Sequence, residues 1–312
     1  MGKVYSLGSC ACDACSAVRG RALAGKSGRC LRLVRTVRRS HRHVTGRAMV
    51  RFSVLMPCLN SAHYMPAALD TVLPQLGDDD ELVVQDGGST DGTLEVLRER
   101  RDDRIKLVSR PDGGQSAALA AALGRARGDV IGWLNAADTY APEALACASR
   151  ALAERPDAGV VIGSNTIFTD SRMIREHRPT EITRDKLLRY GCYVFSGAAF
   201  FRRHTLLDAG GFRTDLHYCM DYELFLRLAE ANVRSVVVPE VLGGLRWHDA
   251  SKSGSQSAGF LREAAGLRAE YGHDLSPTRR AVLTVRHRAL VATTALRQSR
   301  AYSAARGIRH FR

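Results

Sequence analysis

Leu82-Val83-Val84-Gln85-Asp86-Gly87-Gly88-Ser89-Thr90-Asp91-Gly92-Thr93 is an apolar, branched run that ends abruptly in two carboxylates set among glycines. Residues 82 to 84 suit a buried strand, and the glycine pair permits backbone angles and a close ligand approach that a Cβ forbids. In open α/β sheets ligands dock just beyond the carboxyl ends of the strands. Asp86 and Asp91 therefore stand where a polar ligand binds. A plain strand-to-helix turn, with Asp91 or Thr90 capping a helix from Thr93 to Arg101, accounts for the same residues. The neighbouring segments separate these two readings.

Outward from this loop, strand-like and helix-like patterns alternate. Short apolar runs predict strands at 51 to 56, 81 to 85, 104 to 109 and 129 to 134. Helical patterns fall between and after them, at about 64 to 76, 92 to 101, 115 to 127 and 142 to 154. This βαβ alternation implies an α/β fold with a mostly parallel, Rossmann-like central sheet flanked by helices. A second half follows, with strands near 159 to 168, 197 to 202 and 233 to 238 and an amphipathic helix at 220 to 231. Residues 49 to 255 are read as one catalytic-size domain, 1 to 48 as a basic tail lacking sustained periodicity, and 256 to 312 as a basic helical extension. Disorder is the simplest reading of that tail, and the sharp change of composition at Met49 supports the alternative that this residue is the true start.

The 312 residues carry a formal charge of +14, which invites a nucleic-acid reading. Its distribution argues otherwise. Residues 1 to 50 hold eleven Lys and Arg against Asp13 alone, and the stretch from Pro277 onward holds nine Arg and no acid. The body between them is mildly acidic. With no nucleic-acid motif present, a nucleic-acid partner is not expected. No apolar stretch approaches the roughly 18 to 20 residues needed to span a bilayer, and no secretory signal pattern opens the chain, so a cytoplasmic protein is expected. Val282, Val285, Leu290, Val291 and Leu296 among the carboxyl-terminal arginines suit packing on the body or a peripheral contact at the inner membrane face. Eight scattered Cys argue against a disulfide framework, and Cys10, Cys12 and Cys15 lack a second ligand pair at zinc spacing.

Five segments in fixed order resemble the family 2 glycosyltransferases of GT-A fold, over about residues 51 to 252. They are Ser53-Val54-Leu55-Met56-Pro57-Cys58-Leu59-Asn60, the acidic glycine loop, Arg110-Pro111-Asp112-Gly113-Gly114-Gln115-Ser116, Ile131-Gly132-Trp133-Leu134-Asn135-Ala136-Ala137-Asp138, and Met220-Asp221-Tyr222-Glu223 leading to Arg246-Trp247-His248. The resemblance implies a sugar moved from a nucleotide-diphosphate donor to an acceptor hydroxyl, with inversion, on a glycan or lipid-linked acceptor in surface polysaccharide or glycolipid synthesis. It implies that Asp86 meets the nucleobase, with Pro57, Asn60 and Asp91 shaping the pocket and Gly114, Gln115 and Arg246 completing the donor site. Asp138 and His248 are the implied holders of a divalent cation, Mn or Mg, and Asp221 is the implied general base. Asn135 and Ala137 stand where acids are common in the metal motif, which leaves Asp138 as its carboxylate and a weakly held cation as the expectation. The same departure supports an alternative, a non-catalytic nucleotide-sugar-binding relative.

Overall fold

The computed structural model describes residues 50–247 and 258–298. The tail, the Met49 start and the tail cysteines lie outside them.

Among the described residues nine strands form one sheet in the order β3-β2-β1-β4-β8-β6-β9-β5, with β7 pairing β6. Strands β1 (Phe52–Cys58), β2 (Glu81–Asp86), β3 (Ile105–Ser109) and β4 (Val130–Trp133) are mutually parallel. Their side chains divide by alternation. Leu55, Val83, Ile131 and Trp133 enter one core, while Val54, Met56, Leu82, Val84 and Val130 enter the other. Both faces are therefore apolar and both need helices over them. Helices α1 (Met65–Val72), α2 (Thr93–Glu99) and α3 (Gln115–Arg125) provide the crossovers of this half, and α4 (Ala144–Glu154) precedes β6 of the second.

β5 (Thr139–Tyr140), β6 (Val160–Thr169), β7 (Arg172–His177), β8 (Ala199–Arg202) and β9 (Ser235–Arg246) make the second half, with α5 (Arg184–Tyr190), α6 (Arg203–Asp208) and α7 (Met220–Glu230). β8 runs antiparallel to β4 and β6, and β9 runs parallel to β6 before pairing antiparallel with β5. β9 extends past the predicted end at 238 to Arg246 by passing Pro239 through a register shift. Such a shift is where a strand tolerates a residue with no N–H. Beyond it come α8 (Ala258–Tyr271) and α9 (Pro277–Gln298). Ala264, Leu267 and Tyr271 of α8 are buried in the α7 core.

Candidate active site

The loops after β1 and β2 are laced together by side chains. Pro57 lies opposite Gln85 at the end of β1. Asn60, at φ 49, uses its backbone N–H on Ser89 Oγ at 2.8 Å and accepts from the Thr90 N–H at 2.9 Å. Asp91 accepts from the Ala62 N–H at 3.0 Å and from the Thr93 N–H and hydroxyl at 3.1 and 2.5 Å. The Thr93 hydroxyl, first, and these backbone N–H groups hold Asp91 below the ordinary carboxylate range. The residue before α2 is Gly92, in the left-handed region at φ 92, so neither Asp91 nor Thr90 is its N-cap.

Asp86 is fully buried and its oxygens take five donors: the N–H groups of Gly88 and Ser89, the hydroxyls of Ser89 and Ser109, and the Cys58 thiol. Burial works against its charge, yet these hydroxyl and backbone bonds hold it below its ordinary value. Its acceptor capacity is filled by the loop together with Cys58 of β1 and Ser109 of β3. Just outside lie Leu59, 59% exposed, and Asp112. The Asp112 oxygens are 3.4 and 3.5 Å from where a Cβ on Gly87 would stand, and Leu59 Cδ1 is 3.5 Å from it. One Asp112 oxygen accepts from the Gly114 N–H at 2.8 Å. A bare glycine flanked by an exposed apolar side chain and an exposed carboxylate has the chemistry of a flat heterocycle's seat.

A chain of bonds runs from Gln115 to β9. Gln115 Nε2 and Trp133 Nε1 both donate to Asn135 Oδ1 at 2.8 Å, and Asn135 Nδ2 donates to Asp138 at 2.9 Å. The other Asp138 oxygen accepts from the Arg246 N–H at 3.0 Å. The Arg246 side chain donates to the Ala137 carbonyl, pairs with Asp170, and lies over the rings of Phe168 and Tyr64 at 4.7 and 5.4 Å. Asp138 is 3% exposed, and burial pushes it up to about 6 against the Asn135 and Arg246 bonds. Among the described residues each of its oxygens takes one donor, and a carboxylate oxygen can accept a second bond. Among the described residues no three His, Cys, Asp or Glu gather at one point, and His248 lies outside those residues. The donor set therefore fits a cation completed by diphosphate oxygens and water, not one caged by protein alone.

Asp221 lies inside the first turn of α7, whose N-cap is Cys219 rather than Asp221. Asp221 Oδ1 accepts from the Tyr222 N–H at 2.7 Å. Asp221 is half-buried and stands beside Cys192, and desolvation pushes both groups upward. The Leu224, Phe225 and Leu228 side chains of α7 are buried.

The structure thus draws Pro57, Asn60, Asp86 and Asp91 into one loop cluster, and Gln115, Asp138 and Arg246 into one bonded chain. Gly114 joins the cluster through Asp112. Motif reading gave no weight to Leu59, Asp112, Asp170 or Cys192. The first two sat inside quoted motifs, and the last two are side chains that only tertiary pairing brings in.

A family model described as Glycosyl transferase family 2 matches residues 53–211, just over half of the chain. Chondroitin synthase of Pasteurella multocida strain Pm70 is 30% identical over 185 residues, covering 57% of this chain and 19% of that protein. Hyaluronan synthase of Pasteurella multocida is 30% identical over 185 residues, covering 57% and 18%. The chain thus spans under a fifth of either synthase. Among solved structures, residues 1–349 of S. aureus TarS in complex with UDP-GlcNAc superpose with a TM-score of 0.61 at 20% identity, covering 76% of this chain and 71% of that one. The mannosyltransferase PcManGT from Pyrobaculum calidifontis, in complex with GDP-Man and Mn2+, gives 0.52 at 24% identity, covering 83% and 84%. These likenesses share the GT-A fold.

Proposed function

Because the chain belongs to glycosyl transferase family 2, we propose that it moves a sugar from a nucleotide-diphosphate donor to an acceptor hydroxyl by one inverting displacement, with Asp221 as the base. The observation that carries this is the place of Asp221, half-buried in the first turn of α7 with its carboxylate accepting the Tyr222 N–H and burial pushing it above its ordinary value. A base works best when its proton affinity lies near the working pH. Asp221 takes the acceptor proton, the acceptor oxygen bonds to the anomeric carbon, and the bond to the diphosphate breaks with its electron pair leaving on phosphate.

The other residues bind. Leu59, Gly87 and Asp112 seat the nucleobase face and edge, while Asp86, Asn60 and Asp91 hold the loops in shape. Gly114 allows close approach of the nucleoside, and Gln115 steadies Asn135. Asp138, with His248 and diphosphate oxygens, would hold a divalent cation that neutralises the charge on the departing diphosphate. Arg246, tied to Ala137 and Asp170, orders the rim of that subsite.

The acceptor is read as a glycan or lipid-linked chain at a surface. Supporting this, α9 exposes Val282 and Val285 beside Arg279, Arg280 and Arg286, as an interfacial helix does. The β6–β7 hairpin exposes Met173 and Ile174 beside Arg172 and Arg175.

The test is a thermal-shift titration with UDP-GlcNAc and GDP-mannose, with and without Mn, followed by turnover. The expected result is stabilisation by at least one donor and turnover that Asp221→Asn nearly abolishes while binding persists. Binding without turnover by the native chain favours the non-catalytic relative, which Ala137 in the metal motif suggests. Wild-type turnover in Asp221→Asn refutes the base assignment.

A further inference from the structure

We infer that Glu263, in the carboxyl-terminal extension, is a positioning residue that holds the segment leading into Asp221; this rests on the transferase reading of Asp221. The start of a helix leaves N–H groups without intrahelical partners, and a polar N-cap side chain commonly takes one. The N-cap of α7, Cys219, makes no such bond with its side chain. Glu263 of α8 instead takes the N–H groups of the three residues that lead into α7 and end at this N-cap. One Glu263 oxygen takes the His217 N–H at 2.8 Å, and the other takes those of Tyr218 and Cys219 at 2.8 and 2.9 Å. Negative charge is favoured at a helix start, and three charge-assisted bonds to consecutive amides fix the backbone just ahead of Met220.

Two helical turns further along α8, Glu270 binds Arg213 at 2.9 and 3.1 Å, and Arg213 also grips Asp215 at 3.1 and 2.7 Å. Residues 213 to 219 are thereby fastened at both ends to one face of α8. From the opposite side the Ser116 hydroxyl of α3 donates to the Leu216 carbonyl. His217 Nδ1 lies 3.8 Å from where a Cβ on Gly114 would stand. The segment leading to Asp221 is wedged between α8 and the glycine loop that opens α3. An α8 that only covered the core would need its apolar face alone. A carboxylate bridging three amides beside the base goes further, because it sets where α7 begins.

Glu263→Ala and Glu263→Gln are compared with the native chain in release of nucleotide diphosphate from UDP-GlcNAc and GDP-mannose with water as acceptor. UDP and GDP binding is followed by calorimetry. A misplaced base costs on the order of 100-fold in turnover, so Glu263→Ala should lose about that much in kcat with nucleotide affinity unchanged. Glu263→Gln, keeping one acceptor oxygen, should lose less. Combined with Asp221→Asn, Glu263→Ala should cause no further loss, since an absent base cannot be misplaced. If Glu263→Ala does not fold, Glu263→Gln carries the same comparison. Native kcat in a folded Glu263 variant, or losses that multiply in the double variant, overturns the inference alone. A native chain that turns over neither donor overturns the transferase reading and this inference with it.

Discussion

Asp86 and Asp138 are buried carboxylates whose environments push them in opposite directions, so they answer to pH with opposite signs. Asp86 lies below its unfolded value, and the stability it contributes is present above the ordinary Asp range and lost as pH falls through its folded value. Asp138 is raised to about 6, so its contribution is full below about 4 and lost as pH rises to about 6, by roughly 3 kcal/mol at most. Urea unfolding of Asp138→Asn across pH 4 to 7 should show that loss removed, and an unchanged slope would contradict the assignment. Mn binding to the native chain should weaken as pH falls below about 6, because the ion displaces a proton. Calorimetry in buffers of different ionisation enthalpy measures that proton. At the nucleobase seat, Asp112→Ala should weaken UDP or GDP binding by about 1.5–3 kcal/mol, as for a hydrogen bond to a charged group. Asp86→Ala should instead lower the melting temperature, since five donors lose their acceptor.

Elements with an apolar signature were legible before any coordinates. β1, β2 and β4 read as runs because both sheet faces bury them, and α7 read through Leu224, Phe225 and Leu228. β7 gave no such signal, since Arg172 to Glu176 are all exposed and the strand is specified by pairing with β6. β5 is two residues, and the far half of β9 lies beyond a proline. The binding side of the site was legible because its residues lie within six positions of strand ends. Glu263 and Asp170 act across long separations and carry no local pattern. Close packing between elements is similarly silent in sequence. A Cβ on Gly128 would overlap the Ser53 backbone and come within 2.6 Å of the Phe52 carbonyl carbon. Gly128→Ala should therefore destabilise the junction of β1 and β4 by about 1–3 kcal/mol, measurable by chemical denaturation.

Across the whole molecule, charge and catalysis are segregated. Removing residues 1–48 leaves a formal charge of +4, and should diminish salt-dependent adhesion to nucleic acid while sparing donor turnover. No helix among the described residues is long and apolar enough to cross a membrane. Val285→Asp on α9 should reduce co-sedimentation with anionic vesicles if that face lies in the interface. The bond from Arg246 to Asp138 joins residues 108 positions apart. A growing chain that has reached residue 211 already holds every nucleotide loop, yet it lacks β9, which separates β6 from β5 in the finished sheet. Long-range closures of this kind form late. The surroundings of Asp138 are therefore incomplete until synthesis has passed Arg246.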